Sequence, residues 1–355
     1  MTAYKQGTVI KELLRRIREN VYTEKLPSAN KLACEFNVNV KTANKALNSL
    51  VGKGIAYREN GKGTFLKDSN SQSKDRYLEI IYLGVIDFYS NPYFSAIWRG
   101  INKALQKTSY RTVVKVLEED RKKGGQKEIY RDFSEAEGRL IIGTANEKQI
   151  AELKKDGAPF VMVGTKTKYP NVLSVYANTE KAAFDAVSAI ISTQRRQIAF
   201  IGATTGKDRQ VDVDKFHGYM EALLVNNIEP DFKLIENTPA FPDAGYSAMK
   251  RILSQQTPDA VFVAHDHLCP GAYKAIEEAG LTIPDDIGVL GCNGIELMLV
   301  PSLSTVYLPL EEVGQQSALL LLEEIEAPNK QKAFQIILEG KLELKDSINK
   351  KRIAL

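Results

Sequence analysis

Five polar side chains lie close together near the amino terminus: Asn39, Lys41, Thr42, Asn44 and Lys45. Amide groups can donate to and accept from the edges of DNA bases, and lysines bind backbone phosphates. The spacing leaves Ala43, Ala46 and Leu47 on the other side of a helix, where they can pack inward. The segment therefore predicts a recognition helix whose first turn enters the major groove of DNA.

A tight turn at Asn60-Gly61 follows, with Arg58 and Lys62 beside it. Asn-Gly favours a two-residue turn between antiparallel strands. A hairpin with basic flanks next to a recognition helix is typical of a wing that contacts a neighbouring groove or phosphate. We therefore add Arg58, Gly61 and Lys62 to the candidate DNA-binding residues.

A second group of polar and aromatic residues follows apolar strands farther along the chain. Ligands of open α/β sheets bind at the carboxyl ends of strands, and aromatic rings suit sugar faces or planar rings. The candidate ligand-binding residues of this kind are Asp87, Tyr93, Phe94, Thr144, Phe241, His265, Asp266 and Asn293.

The same region contains no pattern typical of catalysis. It lacks a G-x-S-x-G elbow, a P-loop and a G-x-G-x-x-G after a strand. His265 and His267 flank Asp266, but they do not have the helical i, i+4 spacing of a metal pair, and no third ligand is evident. We expect no enzyme activity, cofactor or metal, and we interpret His217 as a packing residue.

The elements that position the first group predict a winged helix-turn-helix. Three amphipathic helical stretches are followed by the strands IAYRE and GTFL. Ser28 and Asn39 are good N-caps, and Gly54 is typical of a helix end.

The elements that position the second group alternate between apolar strands and amphipathic helices, from LEIIYLGVI at 78–86 to IGVLG at 287–291. This alternation predicts an α/β fold of doubly wound layers with parallel sheets. Because the region is long for one such unit, we expect two lobes.

The charge distribution supports different binding partners for these two regions. Residues 1–70 carry a net charge of +7, whereas the whole chain of 355 residues carries +4, which leaves −3 for the remainder. A basic domain beside a mildly acidic one is typical when only the first contacts a polyanion. The balance changes at a polar, Ser-rich stretch. We predict a DNA-binding domain over 1–67, a linker over 68–77 and a ligand-sensing and dimerisation domain over 78–355.

The amino terminus lacks the layout of a secretory signal, and no apolar run is long enough to span a membrane. Cys34, Cys269 and Cys292 are too scattered for a disulfide framework. We expect a cytoplasmic protein with reduced, partly buried thiols and no membrane partner.

The segment LPSANKLACEFNVNVKTANKALNSLVGKGIAYRENGKGTFL resembles the gluconate-repressor (GntR) winged-helix family. The resemblance implies DNA binding and adds Ser28 and Asn30 to the candidate contacts. The family usually has Arg where this chain has Asn30, Val40 and Asn44, and Ser in place of Asn39. Since arginine reads guanine and asparagine suits adenine, we expect an operator richer in A·T than is usual for the family.

Residues 80–348 resemble the effector domain of the lactose-repressor (LacI) family, which is related in fold to periplasmic sugar-binding proteins. The resemblance rests on NPYFSAIWRGI, on VFVAHDHLCPGAYKAIEEAGLTIPDDIGVLGCNG and on PSLSTVYLPLEEVG. It implies a type I periplasmic-binding-protein-like fold and a sugar or sugar-like ligand. Lys215 stands where the family has its ligand-gripping Arg, and His265, Asn293 and Ala177 stand where it has Asn, Asp and Asp. These departures imply a ligand that differs in kind.

The two parts together resemble arabinose-operon repressors of the same hybrid build. The resemblance implies a homodimeric, ligand-responsive transcriptional regulator, a repressor by expectation, that binds a palindromic double-stranded DNA operator. The alternative is a two-lobed small-molecule binding protein whose head is mainly a dimerisation module. The salt dependence of DNA binding would separate the two, because a DNA-binding protein loses affinity steeply as salt rises.

Overall fold

The computed structural model describes residues 2–18, 21–52, 54–59, 61–66, 76–83, 92–116, 136–204, 210–238, 243–328 and 335–348. The chain forms two compact units, Met1–Arg76 and Tyr77–Leu355. Most of the predicted linker, 68–77, lies outside the described residues, so its bounds stay a prediction.

The smaller unit, which we call the head, is a winged helix-turn-helix. Its elements are α1 (Thr2–Arg18), α2 (Ala29–Glu35), α3 (Val40–Gly52), β1 (Ala56–Glu59) and β2 (Gly63–Leu66). The two strands pair antiparallel, as the Asn-Gly turn predicts. Leu13, Leu32, Ala43, Leu47 and Leu50 are buried between the helices, which confirms the amphipathic pattern of the sequence.

The larger unit contains the remaining elements. In chain order they are β3 (Arg76–Leu83), α4 (Pro92–Leu105), β4 (Tyr110–Val116), β5 (Gly138–Gly143), α5 (Glu147–Asp156), β6 (Phe160–Val163), β7 (Leu173–Ala177), α6 (Thr179–Ser192), β8 (Ile198–Gly202), α7 (Gln210–Val225), β9 (Ile235–Asn237), α8 (Ala244–Gln255), β10 (Ala260–Val263), α9 (Cys269–Glu278), β11 (Gly288–Asn293), β12 (Ser304–Tyr307), α10 (Leu310–Glu326), β13 (Gln335–Leu338) and β14 (Lys341–Glu343).

Two six-stranded sheets divide this unit into two lobes. The first lobe has the strand order β13-β7-β6-β5-β3-β4 and the second has β14-β12-β11-β10-β8-β9. Helices cover both faces of each sheet: α5 lies on one face of the first lobe and α4 with α10 on the other, while α8 with α9 and α6 with α7 cover the second. The doubly wound, two-lobed α/β fold is thus confirmed.

In the described part of the larger unit, the chain passes between the lobes three times: after β7, after β12, and between β13 and β14. Two of these crossings are hydrogen-bonded to each other. The backbone N–H of Asn178 donates to the carbonyl of Leu338 over 2.8 Å, and its Nδ2 donates to Oε1 of Glu339 over 3.1 Å. The polar groups at the carboxyl ends of both sheets therefore lie close to the connections about which the lobes can move.

Glycines bring α4 and α10 into backbone contact. A Cβ added at Gly100 would lie 1.8 Å from the carbonyl oxygen of Glu311, and one added at Gly314 would lie 2.0 Å from that of Ile97. No larger residue fits either position without a shift of a helix. Within the described residues, no helix combines the length and apolar character needed to cross a bilayer.

Candidate functional sites

The recognition helix α3 presents one polar face to solvent. Val40, Lys41 and Lys45 are exposed and Asn44 is half-buried, while Ala43, Ala46 and Leu47 are fully packed in the core. The predicted inward-facing side is thus correct. The free N–H groups at the start of a helix and the lysines beside them suit a phosphate backbone.

Thr42 is an exception among the residues predicted to contact DNA. Its side chain is 4% exposed, because position 42 lies on the side of α3 that packs against the core. We therefore withdraw Thr42 from the residues that face a groove.

Two other predicted contacts have a local structural role. Oδ1 of Asn39 accepts the backbone N–H of Thr42 at 2.7 Å, and Oγ of Ser28 accepts that of Lys31 at 3.3 Å. Both are helix N-caps. Asn30 is exposed in the first turn of α2.

The hairpin of β1 and β2 carries Arg58, Gly61 and Lys62, all exposed. Gly61 has a φ of +76°, which is the left-handed conformation that an Asn-Gly turn requires. Lys62 pairs with Glu59 at 3.4 Å. Nη2 of Arg58 donates to Oδ1 of Asn44 at 2.9 Å, so the wing and the recognition helix are connected by their polar side chains.

In the larger unit, four buried side chains form one hydrogen-bonded chain at the carboxyl ends of β8, β10 and β11. Lys215 Nζ donates to the carbonyl of Ala264 at 2.6 Å and to Oδ1 of Asn293 at 2.7 Å. Nδ2 of Asn293 lies 3.2 Å from Nδ1 of His265, and Nε2 of that ring lies 2.7 Å from Oδ1 of Asp212. We call Asp212, His265, Asn293 and Lys215 the buried polar chain.

The ammonium group at one end fixes the orientation of the whole chain. Because Lys215 can only donate, the amide oxygen of Asn293 must face it and the amide nitrogen must face His265. Nδ1 of His265 then accepts, and Nε2 carries the proton that it donates to Asp212. Three of the predicted ligand-binding residues, Lys215, His265 and Asn293, are brought together in this way.

Asp266 was predicted to face a ligand, but the structure assigns its carboxylate to protein partners. Oδ2 accepts the N–H of Ile295 at 2.8 Å and Oδ1 accepts the hydroxyl of Thr305 at 2.8 Å. Its side chain is fully buried, and this burial raises its pKa to about 6 against the opposing hydrogen bonds. Asp266 therefore positions the turn after β11, where Asn293 has a φ of +125° that few non-glycine residues adopt.

A cavity of about 1060 Å³ lies between the lobes, and Tyr93 and Asn293 of the predicted set line it. Other lining residues come from α4 and α10 of the first lobe, and from the segment after β11 and the end of β12 in the second: Arg99, Lys103, Glu296, Tyr307, Glu311 and Gln315. Both lobes supply walls, so its shape depends on how far the lobes are closed.

The remaining predicted ligand-binding residues are dispersed. Asp87 and Phe241 lie outside the described residues. Phe94 packs edge-on against the buried Tyr82, with ring centroids 4.5 Å apart, and is a core aromatic. Thr144 is half-buried just after β5.

Sequence reasoning missed Asp212 and two residues that join the lobes, Lys166 and Asp214. Asp212 lies one helical turn before Lys215 in α7, and this i, i+3 spacing was the available signal. Lys166 Nζ lies 2.9 Å from Oδ1 of Asp214. No local pattern could indicate this pair, because one residue follows β6 and the other lies in α7.

The cysteines differ from one another. Cys269 and Cys292 are buried, and burial raises the pKa of both thiols, that of Cys292 to about 11. Cys34 is exposed, so the expectation of partial burial was wrong for it. Among the residues whose placement is described, no group of three or more His, Cys, Asp or Glu is arranged to hold a metal ion.

Two family models match the chain. Residues 5–66 match the bacterial regulatory proteins of the gntR family, and residues 187–348 match the periplasmic binding protein-like domain.

Curated relatives and solved structures agree with these matches. Catabolite control protein A of Staphylococcus xylosus is 27% identical, over 82% of this chain and 88% of its own. The arabinose metabolism transcriptional repressor of Geobacillus stearothermophilus is 24% identical over 91% of both chains. A LacI family transcriptional regulator from Enterococcus faecium, solved with bound ribose, is 25% identical with a TM-score of 0.66 and covers 78% of this chain and 100% of its own. The chain is therefore a ligand-responsive transcriptional regulator in which a head similar to the gntR-family DNA-binding domain precedes an effector domain similar to the periplasmic binding protein-like domain.

Proposed function

We propose that the protein acts in the cytoplasm as a homodimeric repressor of a palindromic operator, and that a sugar or sugar derivative lowers its affinity for DNA. The observation that carries the proposal is the presence, in one chain, of a polar recognition face on α3 and of a buried polar chain beside a cavity between two lobes.

DNA binding is supported by the exposed side chains of the head. Lys41 and Lys45 on α3 and Lys62 on the wing can neutralise phosphates, while Asn30 can meet base edges. Because asparagine suits adenine, the operator is expected to be richer in A·T than is typical of gntR-family heads.

Dimerisation is supported by an apolar surface on the second lobe. Met298 and Val300, in the segment between β11 and β12, are 104% and 95% exposed. Two fully exposed apolar side chains in one short segment favour an interaction surface there. A second copy of the chain is the occupant we propose, since a palindromic operator requires a two-fold pair of heads.

A sugar-like effector is supported by the pocket chemistry and by the relatives. Tyr93 offers a ring, and the buried polar chain offers amide, imidazole and ammonium groups at the strand ends. The repressor of G. stearothermophilus is named for arabinose metabolism, and the E. faecium structure contains ribose.

The proposed mechanism is a population shift between lobe arrangements. An effector that contacts both walls of the cavity binds the closed arrangement better than the open one and therefore favours closure. Closure moves the two heads of a dimer relative to each other, so that their spacing no longer matches the half-sites.

A thermal-shift screen of the full-length protein tests the effector, with monosaccharides, sugar acids, nucleosides and amino acids as probes. A compound that binds only the folded protein raises its melting temperature with occupancy. We expect a sugar or sugar acid to do so and to weaken operator binding in a fluorescence-anisotropy titration. Stabilisation by nucleosides or amino acids alone would contradict the sugar assignment.

The same titration at several salt concentrations tests DNA binding. Affinity should fall steeply as salt rises, because phosphate contacts release counterions. Absence of any DNA binding would favour the alternative, a binding protein whose head serves dimerisation. Met298→Glu with Val300→Glu should give monomers in analytical ultracentrifugation and weaken operator binding, and Phe232→Glu, at another exposed apolar residue, is the matched control.

A further inference from the structure

The recognition helix contains no arginine, and an arginine reaches it from the wing. The sequence of α3 is VKTANKALNSLVG. Arg58 lies two residues after Ala56 in β1, so both side chains project from the same face of the strand. Ala56 is buried in the core that α3 helps to form. Arg58 therefore emerges beside α3, where its Nη2 donates to Oδ1 of Asn44.

The guanidinium of Arg58 keeps most of its binding capacity. It has five N–H donors, of which Asn44 receives one. The neighbouring carboxylate, Glu59, pairs with Lys62 instead. In the described part of the head, no ion pair of Arg58 is present, and its side chain is exposed. Its charge and the rest of its planar fork are available to a ligand.

The contact also changes what Asn44 can do. An asparagine that reads adenine uses its amide oxygen and its amide nitrogen together. The oxygen of Asn44 already accepts from Arg58, so this amide is suited to hold the guanidinium in place. A side chain that is held before binding loses less conformational entropy when it meets a base.

We propose that Arg58, positioned by Asn44, reads a guanine in the major groove of each operator half-site, in the role that an arginine on the recognition helix would have. The inference rests on the proposed operator binding and adds one G·C pair to a site that Asn30 biases towards A·T. Arginine binds O6 and N7 of guanine with two parallel hydrogen bonds, which lysine cannot reproduce. Discrimination at that base pair should be on the order of 10- to 100-fold.

The test is a binding selection with full-length protein on randomised half-sites, followed by affinity measurements on the selected site and its single-base variants. The wild type should select one guanine per half-site. Arg58→Lys and Arg58→Ala should lose the preference at that position alone, and Arg58→Lys should keep the salt dependence. Asn44→Ala should weaken the same preference, and the double variant should resemble Arg58→Ala, because the two residues act as a unit.

Lys62→Ala is the matched control, since Lys62 is an exposed wing cation with no contact to α3 among the described side chains. It should reduce affinity for all sequences alike. Guanine selection that survives Arg58→Ala would overturn the inference, and so would an adenine at that position whose preference only Asn44→Ala removes. A wild-type protein that binds no DNA would instead contradict the proposed function. Circular dichroism of each variant excludes unfolding as the cause.

Discussion

Lys166 of the first lobe forms an ion pair with Asp214 of the second lobe, with Nζ 2.9 Å from Oδ1. Glu180 of α6 lies 3.6 Å from the same Nζ. Partial burial disfavours the charged ammonium, but the hydrogen bond and charge of Asp214 together with the attraction of Glu180 outweigh burial, so the pKa of Lys166 is raised. The pair can exist only while the lobes are this close, and it therefore stabilises the arrangement in which the cavity has both walls.

Lys166→Gln should shift the lobes towards a more open arrangement. A partly exposed ion pair contributes about 1 kcal/mol, so effector affinity should fall by roughly fivefold. Small-angle scattering should show a larger radius of gyration without effector. Lys168→Gln, which changes an exposed lysine two residues away, should alter neither quantity. Equal effector affinities for wild type and Lys166→Gln would show that the pair does not bias the lobes.

Asp266→Asn should remove a pH-dependent loss of stability. The folded protein raises the pKa of Asp266 from 3.8 to about 6 because of burial. A raised carboxyl pKa means that the folded state favours the protonated form of Asp266. The stability that the protonated carboxyl contributes is present below pH 4 and is lost as the pH rises through 6. An asparagine can still accept the N–H of Ile295 and can donate to Thr305.

Urea unfolding from pH 4 to pH 8 measures the effect. The asparagine variant should match the wild type near pH 4 and exceed it by about 2 kcal/mol above pH 7. Asp286→Asn is the control: hydrogen bonds from Thr282 lower the pKa of Asp286, so its stabilisation is lost only below pH 4 and the difference from the wild type should stay constant from pH 4 to pH 8. A constant difference between wild type and Asp266→Asn across the range would contradict the assignment.

Arg139→Met should destabilise the first lobe strongly. Glu79 and Arg139 are almost fully buried, and Nε of Arg139 lies 2.9 Å from Oε2 of Glu79. Lys115 pairs with Glu79 at 2.5 Å, and Asp156 pairs with Arg139 at 2.5 Å. Removal of one buried partner leaves a desolvated charge, at a cost of about 3 kcal/mol. The urea midpoint should fall, and Glu79→Gln combined with Arg139→Met should recover most of the loss. Lys148→Met, at an exposed pair, serves as the control. A double variant no more stable than the single one would show that packing, not charge, sets the loss.

The predicted strands and helices show which elements of the fold are determined by their own local sequence. Strands such as IAFIG in β8 and AVFV in β10 are short apolar runs, and all the predicted ones are present within a few residues. Strands β7, β9 and β12 were not predicted, nor were the edge strands β13 and β14. QIIL in β13 and KLE in β14 are short and half-exposed, so burial leaves little trace in their sequences. Such strands are defined by their partners, β7 and β12, which are distant in sequence.

The candidate site was predictable where a residue follows a strand directly. His265 and Asn293 were found in this way, and the structure joins them to Lys215. The same rule placed Asp266 at the cleft, but its partners Ile295 and Thr305 come from another part of the chain and take both carboxylate oxygens. A polar residue at a strand end can face either the cleft or the protein interior. Its direction is decided by packing against residues that are distant in sequence.

Lys215→Met should abolish the response to effector and leave DNA binding intact. Methionine fills a similar volume but cannot donate a hydrogen bond to the carbonyl of Ala264 or to Oδ1 of Asn293. The side-chain amide of Asn293 then loses the cation that fixes its orientation, and with it the order of donors and acceptors along the buried polar chain. The effector found by the thermal-shift screen should no longer raise the melting temperature of this variant. Operator affinity without effector should stay within about twofold of the wild type, because the head is unchanged.

Lys233→Met, at an exposed lysine of the same lobe, should respond like the wild type. An undiminished response in Lys215→Met would place the effector away from the buried polar chain, whereas loss of operator binding in the absence of effector would show that Lys215 supports the fold itself.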